Sequence, residues 1–467
     1  MSAVDASKAQ EAGLRRSLSK AQIVMIGLGG AIGTGLFMGS GLAVGYAGPA
    51  VILSYALAGF VALVMVFSLS EMAVVHPTAG SFGTYAEMYL NPWAGFVVRY
   101  TYWIAQAIAV GGEAVAAGLY MQYWFPDVPV WIWAVGFCLV LLYFNSRSVG
   151  NFGTLESWLA LIKVVAIVLF IILGLAAIVG IGRPAVGLHN LSGLPGGFLP
   201  KGISGLWMAV IVGVFSFNGI EVIAVTSGET KDPEVAIPAA LRTMMLRLFL
   251  FYVLAIAVIV TIVPWTETGV KVVAQSPFVT IFRHSGLRDA AGIMNFVVIS
   301  AALSSMNTDI YLCSRMLFSL SRGGYAPQRL GVLSERGSPV AAILVSGAFV
   351  LSAAAASFFT PDAYADLLGV ALFAAMLVWM FVLVSHLSFR RQHGNAPLPV
   401  RMPFFPWMQY AGLALLAGIL VTMGLDSTLY VSWVYGVPWV VLISLAYFVR
   451  RARLRTDAAG QTRESGG

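Results

Sequence analysis

The chain has 467 residues, 59% hydrophobic and only 10% charged, with a mean hydropathy of +0.87. Soluble chains carry about 45–50% apolar and about 25% charged residues, so a water-soluble enzyme is excluded, and so is disorder, which needs the opposite balance. The +7 formal charge and pI of 9.4 would suggest nucleic acid only if the basic residues formed a patch; they sit in small groups between apolar runs, as in membrane loops.

Residues 1–18 are polar and small and read as a disordered tail. The apolar segment after them is longer than a signal-peptide core and lacks a cleavage motif, so it is expected to remain as a helix. Stretches long enough to span a bilayer follow near 21–44, 48–74, 94–124, 128–146, 154–182, 203–227, 240–264, 289–320, 339–359, 363–389, 405–425 and 429–450. These predict an all-α integral membrane bundle of twelve transmembrane helices. A barrel would show alternating spans of about ten residues. The linker 321–338 reads as a surface connection and 454–467 as a second disordered tail, leaving 19–453 as one transmembrane domain. Cys138 and Cys313 fall inside apolar segments and offer neither a disulfide framework nor a zinc site.

An even number of spans puts both termini on one side. With the N-terminus inside, 21 of the 27 Lys and Arg residues fall on the cytoplasmic side, 5 outside (Arg183, Lys201, Lys271, Arg283, Arg288), and Lys163 within the membrane. By the positive-inside rule both ends are cytoplasmic.

Two spans carry signs of a break. Seven glycines crowd the first, within GLGGAIGTGLFMGSG at 27–41, and FSFNGIE at 215–221 interrupts the sixth. Gly29 and Gly33 form a GxxxG pair, for which close helix packing is the simple reading. Irregular backbone at that depth is tolerated only where it is buried in protein or lines a cavity. Breaks at corresponding places in two halves point to inverted repeats. A nucleotide loop fails, because the GxGxxG spacing breaks at Ile32 and no strand precedes it.

GGAIGTGLFMGSG, SLSEMAVVHPTAGSFGTYAE at 68–87, FSFNGIE, GETKDPEVAIP at 228–238 and SRMLFSLSRGGYAP at 314–327 occur in this order. Together they resemble the bacterial amino-acid transporter family of the amino acid–polyamine–organocation superfamily, from about residue 18 to 450. The resemblance implies a 5+5 inverted repeat (about 21–182 and 203–389) with discontinuous helices 1 and 6, two trailing helices (about 405–450), and alternating access to a central amino-acid site.

It also implies roles. Gly33, Thr34 and Gly35 would bind the substrate carboxylate, in keeping with exposed N–H groups at a half-helix start, and Ile32 would offer a carbonyl to the amino group. Phe215 would gate the site, unless it is ordinary packing. Carbonyls near Phe215, Ser216 and Asn218 would take the ammonium, and the Asn218 amide is a specificity candidate. Glu113 matches an acidic position facing the side-chain end of the pocket, against an interhelical hydrogen bond as the plain alternative. Gln106 shares its face two turns earlier.

Ionisable groups inside a span cost about 2.5–3.5 kcal/mol each to insert and are functional by default. Glu221 follows the second break, as a proton-sensing carboxylate or as a tie to a neighbouring span. Lys163 lies about ten residues into span 5, roughly 15 Å deep. In proton-coupled relatives the matching lysine stands where sodium-coupled ones hold an ion, and a buried lysine cycles its proton readily; a fixed ion pair with Glu113 or Asp309 is the alternative. Asp309 departs from the family pattern; Arg315 or Lys163 are possible partners, and it receives no role. Glu71 and Glu87 brace or gate the 2–3 loop, Arg147, Arg242 and Arg390 read as anchors, and the five histidines show no metal-ligand spacing. Nor is there a GxSxG elbow.

The expectation is a proton-coupled importer of amino acids in the bacterial inner membrane, with the proton as coupling ion, no cofactor, no nucleic acid and no obligate protein partner. A neutral or aromatic substrate side chain is favoured. An exchanger, or a GABA or polyamine permease, is the rival on the same fold. A membrane amino-acid sensor is the rival outside transport, though tails of this length offer no output module.

Overall fold

The computed structural model describes residues 16, 18–78, 80–147, 149–181, 184–268, 277–279, 288–360, 363–393, 398, 400–427 and 429–464. Most of the N-terminal stretch, Arg183, Lys271, Arg283 and His284 lie outside them.

The chain opens with α1 (Lys20–Ala31), set by a capping box in which Ser19 Oγ accepts from Gln22 N at 3.3 Å and Gln22 Oε1 accepts from Ser19 N at 3.0 Å. The helix stops at Ala31 and resumes as a π turn over Gly35–Gly39 that runs into α2 (Ser40–Ala47). A tight turn at Gly48–Ala50 leads to α3 (Val51–Val75), and a short α4 (Ser81–Tyr89) follows. Next is α5 (Pro92–Met121), begun by proline at its first position and by Asn91 Oδ1 accepting from Ala94 N at 2.9 Å. Then come α6 (Val130–Arg147), α7 (Val149–Val179), α8 (His189–Ser192) and α9 (Gly202–Ser216). After α9 the chain breaks and gives only α10 (Val222–Val225) and a 3-10 turn to Glu229. The rest comprises α11 (Pro233–Ile262), α12 (Trp265–Thr268), α13 (Arg288–Arg322), α14 (Val340–Ala354), α15 (Ala363–His393), α16 (Trp407–Leu425) and α17 (Val431–Glu464).

Among the described residues there is no strand, only one bridge between Leu18 and Thr230, and nine helical runs are long and apolar enough to cross a membrane. The first of these, Lys20–Val75, holds two helices around Gly48–Ala50, and two further apolar helices, Gly202–Ser216 and Phe249–Ile262, are shorter. The sixth stretch, expected at 203–227 with an interruption at 215–221, is helical only as far as Ser216. The last helix continues through the stretch read as a disordered tail, as far as Glu464.

Burial separates centre from rim. In α13 and α5, 89% and 78% of the most apolar stretch is buried within the protein, against 22% in α6 and in α17. Helices buried all round form the core, and those apolar outward face lipid. α13 lies along α5, α1 against α7, and α9 against α2 and α3. α7 shows both environments: Glu156, Ala160, Lys163 and Ile167 are buried at helical spacing, while Trp158, Leu161, Val165 and Leu169 point outward.

One end of the bundle gathers both ends of the described chain. Leu18 N donates to Glu229 O at 3.1 Å, and Lys231 N donates to Leu18 O at 3.0 Å. Arg315 near the end of α13 forks onto Glu229 (2.9 and 3.3 Å), its guanidinium 4.1 Å from the Tyr311 ring, which stacks on Phe152. Arg450 of α17 bonds Gly324 O just beyond α13. Arg315, considered from the sequence as a partner for Asp309, is committed to Glu229. Glu71 accepts from His386 Nε2 at 2.9 Å and from Met402 N, with Arg390 at 3.5 Å, so it braces α3 against α15. Glu87 pairs with Arg99 at 2.7 Å and accepts from the Tyr325 hydroxyl at 2.9 Å.

Candidate substrate site between two broken helices

A helix interrupted in mid-bundle leaves backbone groups that must find partners elsewhere. At the first break Gly33 N turns back to Ala31 O, which takes it off Gly29 O. Lys163 Nζ fills the gap: it donates to Gly29 O and, at 2.7 Å, to Ile32 O. On the other side Glu113 takes the Thr34 N–H with both carboxylate oxygens, each at 3.1 Å. A cation from α7 and an anion from α5 therefore hold the break open, each opposite the backbone charge it complements.

The second break is held differently. Gly219 adopts φ +94°, and Glu221 Oε2 accepts from Gly219 N at 3.1 Å while its Oε1 accepts from the Tyr102 hydroxyl at 3.0 Å. Gln106 Nε2 donates to Tyr102 at 2.6 Å, and Asn218 Nδ2 reaches Gln106 Oε1 at 3.4 Å. The two breaks touch backbone to backbone: a Cβ on Gly219 would sit 2.4 Å from Gly30 O, so a side chain is barred there by space as well as by φ. Tyr252 bridges them, its hydroxyl 2.7 Å from both Ala31 O and Ser216 O.

Between the breaks lies a cavity lined by Ala31, Gly33, Gly35, Ala109, Glu113, Phe215, Ser216, Asn218, Ser305 and Asp309, with about 10 Å³ of free space. That is room for about one water, so an amino acid needs the walls to part. A larger apolar cavity of about 450 Å³ between α5, α15 and α17 has Asp366 as its sole charged lining residue. It touches neither break, and we place the site at the smaller one on chemistry.

Of the residues singled out from the sequence, Gly33, Gly35, Glu113, Phe215, Ser216 and Asn218 line this cavity. Thr34 sits at its rim, its N–H on Glu113 and its hydroxyl 3.4 Å from that of Tyr364. The Ile32 carbonyl, expected to face the substrate's amino group, accepts from Lys163, and the Ser216 carbonyl lies 2.7 Å from the Tyr252 hydroxyl, whose single proton it shares with Ala31 O. Gln106 is not a lining residue; it ties Tyr102 to Asn218. Glu113 caps the first break at the N–H meant for the substrate carboxylate. Glu221 makes the tie to α5 that was one of its two readings.

The sequence reading missed Glu156, Tyr102, Tyr252, Ser305 and Tyr364. Glu156 is fully buried, accepts from Ser304 Oγ and from Asn307 Nδ2 at 3.0 Å, and lies 2.1 Å from where a Gly29 Cβ would stand. Its spacing, seven residues before Lys163, was the available signal. No group of three His, Cys, Asp or Glu side chains among the described residues could hold a metal.

The family model described as "Amino acid permease" matches residues 22–457. The chain is 38% identical over 452 residues to the gamma-aminobutyric acid permease of Bacillus subtilis (strain 168), covering 94% of this chain and 95% of the relative. It is 37% identical over 451 residues to the probable threonine/serine transporter YbxG of the same organism, covering 95% and 97%. To the aromatic amino acid transport protein AroP of Escherichia coli (strain K12) it is 37% identical over 442 residues, covering 94% and 96%. A broken-helix cavity in an all-helical membrane chain and a family match over almost its whole length agree, and the chain belongs to the amino acid permease family.

Proposed function

We propose that the protein imports an amino acid together with a proton by alternating access, with Lys163 as the proton carrier. The observation that carries this is the Lys163 ammonium on the Gly29 and Ile32 carbonyls of the broken first helix. Protonated, it fastens α7 to α1 through charge-assisted hydrogen bonds, which are roughly twice as strong as neutral ones. Neutral, it loses that advantage and α1 is free to swing. A substrate carboxylate arriving at Thr34 competes with Glu113 for the same N–H, so substrate and proton act on one break.

We further propose that the chain crosses a bacterial inner membrane twelve times as a 5+5 inverted repeat with two trailing helices. In support, the two breaks fall in corresponding places in the two halves. The face holding Leu18, Arg315 and Arg450 is cytoplasmic, because the basic residues concentrate there. The named substrates of the relatives share a carboxylate and an amine and differ in what lies between or beyond them.

Uptake of labelled amino acids into proteoliposomes tests the reading. Accumulation should follow an inward proton gradient, ignore sodium, and be lost or uncoupled in Lys163→Gln. Sodium-dependent uptake at constant pH would overturn it.

A further inference from the structure

Glu156 is a carboxylate to which the transport reading gives no part. It is fully buried on α7, seven residues before Lys163 and on the same face, and it is not among the residues that line the central cavity. A chain of amides fixes what its oxygens do. Asn145 Nδ2 on α6 donates to Leu141 O at 3.1 Å and to Asn307 Oδ1 on α13 at 2.8 Å. A backbone carbonyl can only accept, so Leu141 O settles which way the Asn145 amide points, and Asn145 in turn settles Asn307. Asn307 Nδ2 is thereby aimed at Glu156 Oε2, 3.0 Å away, and Ser304 Oγ donates to Oε1. Both oxygens accept, as those of an ionised carboxyl do.

Glu156 and Lys163 meet at one residue of α1. Lys163 Nζ donates to Gly29 O, and Glu156 Oε1 fills the place that a Gly29 Cβ would take, so Oε1 and Nζ are at most about 8 Å apart. Gly29, the first glycine of the GxxxG pair, makes room for a carboxylate as well as for close packing of α7. The other charged groups near the first break are differently placed. Glu113 on α5 is spent on the Thr34 N–H, which a substrate carboxylate would contest, and Asp309 on α13 lines the cavity itself. The neighbouring Tyr252 of α11 presents a hydroxyl, and α1 presents carbonyls to Lys163. Glu113 and Asp309 stand where a substrate arrives; Glu156 stands behind α1, out of its reach.

We propose that Glu156 is the standing counter-charge of Lys163, a positioning residue that sets the external pH at which the lysine takes up its proton. This deepens the transport reading above and rests on its proton carrier. Substrate entry disturbs Glu113, while Glu156 keeps one negative charge beside the ammonium throughout the cycle. At about 8 Å, one charge inside a protein alters its neighbour's hold on a proton by about one pH unit.

The test is initial uptake into proteoliposomes at fixed internal pH while the external pH is stepped from acid to alkaline. The probe is whichever of labelled 4-aminobutyrate, threonine or phenylalanine the wild type accumulates. Wild-type uptake should fall as the outside turns alkaline and Lys163 goes unloaded. In Glu156→Gln, whose amide can still meet Asn307 and Ser304, that fall should come about one pH unit further to the acid side, with uptake at acid pH largely kept. In Glu156→Asp, which keeps the charge, it should stay nearer the wild-type position. The same proportional loss at every pH in Glu156→Gln, or a fall that does not move, makes the residue merely structural and overturns the proposal. Melting temperatures of the purified protein give a second reading. Glu156→Gln and Lys163→Gln should each lower it, and the double variant should lose less than the sum; additive losses overturn the proposal. Should Glu156→Gln fail to insert, the double variant, with both charges gone, should insert, and its failure would overturn the proposal as well. A wild type that accumulates the probe whatever the external pH would sink the proton reading itself, and this proposal with it.

Discussion

The two helix breaks meet in the same cavity yet are held by different chemistry. The first, at Ile32–Thr34, depends on Lys163 and Glu113, charged groups from two other helices, each of which changes strength with one proton. The second, after Ser216, is held by its own Glu221 and by the hydroxyls of Tyr102 and Tyr252. In the reading proposed above, proton gain and loss on Lys163 act on the first break, whereas the second is held from within its own segment by Glu221. Gly30 and Gly219, in backbone contact, are where one break bears on the other.

The largest effect is expected where both broken helices are fastened at one end. Glu229 follows the second break, touches Leu18 ahead of the first, and forks onto Arg315. Arg315→Met leaves Glu229 buried without its partner and should lower stability by about 3–5 kcal/mol, read as a fall in melting temperature of the purified protein. A change within 1 °C, or roughly that, would mean the pair is solvated and holds nothing.

Lys163→Gln strikes the first break alone. Net proton-driven uptake should fall by about a hundredfold or more, as for loss of a positioned acid–base group, with the protein still inserted. Glu221→Gln, at the second break, should cost far less in coupling because Gly219 N still finds an acceptor. Equal losses in the two variants would erase the distinction between the breaks.

Gly219→Ala tests their contact. The added Cβ must displace Gly30 O, and φ +94° disfavours any side chain, at a cost of about 1–3 kcal/mol. Transport of every substrate should fall alike, and a variant that only re-ranked substrates would show the contact to be absent in the working protein. The smallest effect belongs to Tyr252→Phe, which removes one hydroxyl shared by both breaks. About 1 kcal/mol is expected, seen as a modest drop in melting temperature with substrate ranking intact.

Much of this was legible in the chain. Apolar length gave the helices, because lipid forces every backbone group to be satisfied within its own segment. Crowded glycines at 27–41 and FSFNGIE marked where that rule is suspended. Lys163 and Glu113 stood out because charge in a span needs a reason. What each group bonds to was not legible, since it depends on how neighbouring helices are rotated and tilted. Ile32 O faces Lys163 only because α7 turns that side toward α1. Tyr102 and Tyr252 sit in apolar runs where a hydroxyl leaves no periodic trace. Glu156 lies only two turns from the start of its helix and escaped notice, although its spacing to Lys163 puts both on one face. The Glu71–His386 contact joins residues 315 apart, and no local pattern announces it.

The central claim is that one proton, carried on Lys163, locks and frees the first break. It is tested most directly by following the internal pH of proteoliposomes while a saturating amino acid is added outside at zero sodium. The account predicts internal acidification in step with uptake in wild type, and none in Lys163→Gln, which should still bind substrate. Acidification that persists in Lys163→Gln, or uptake in wild type without any proton movement, would contradict it.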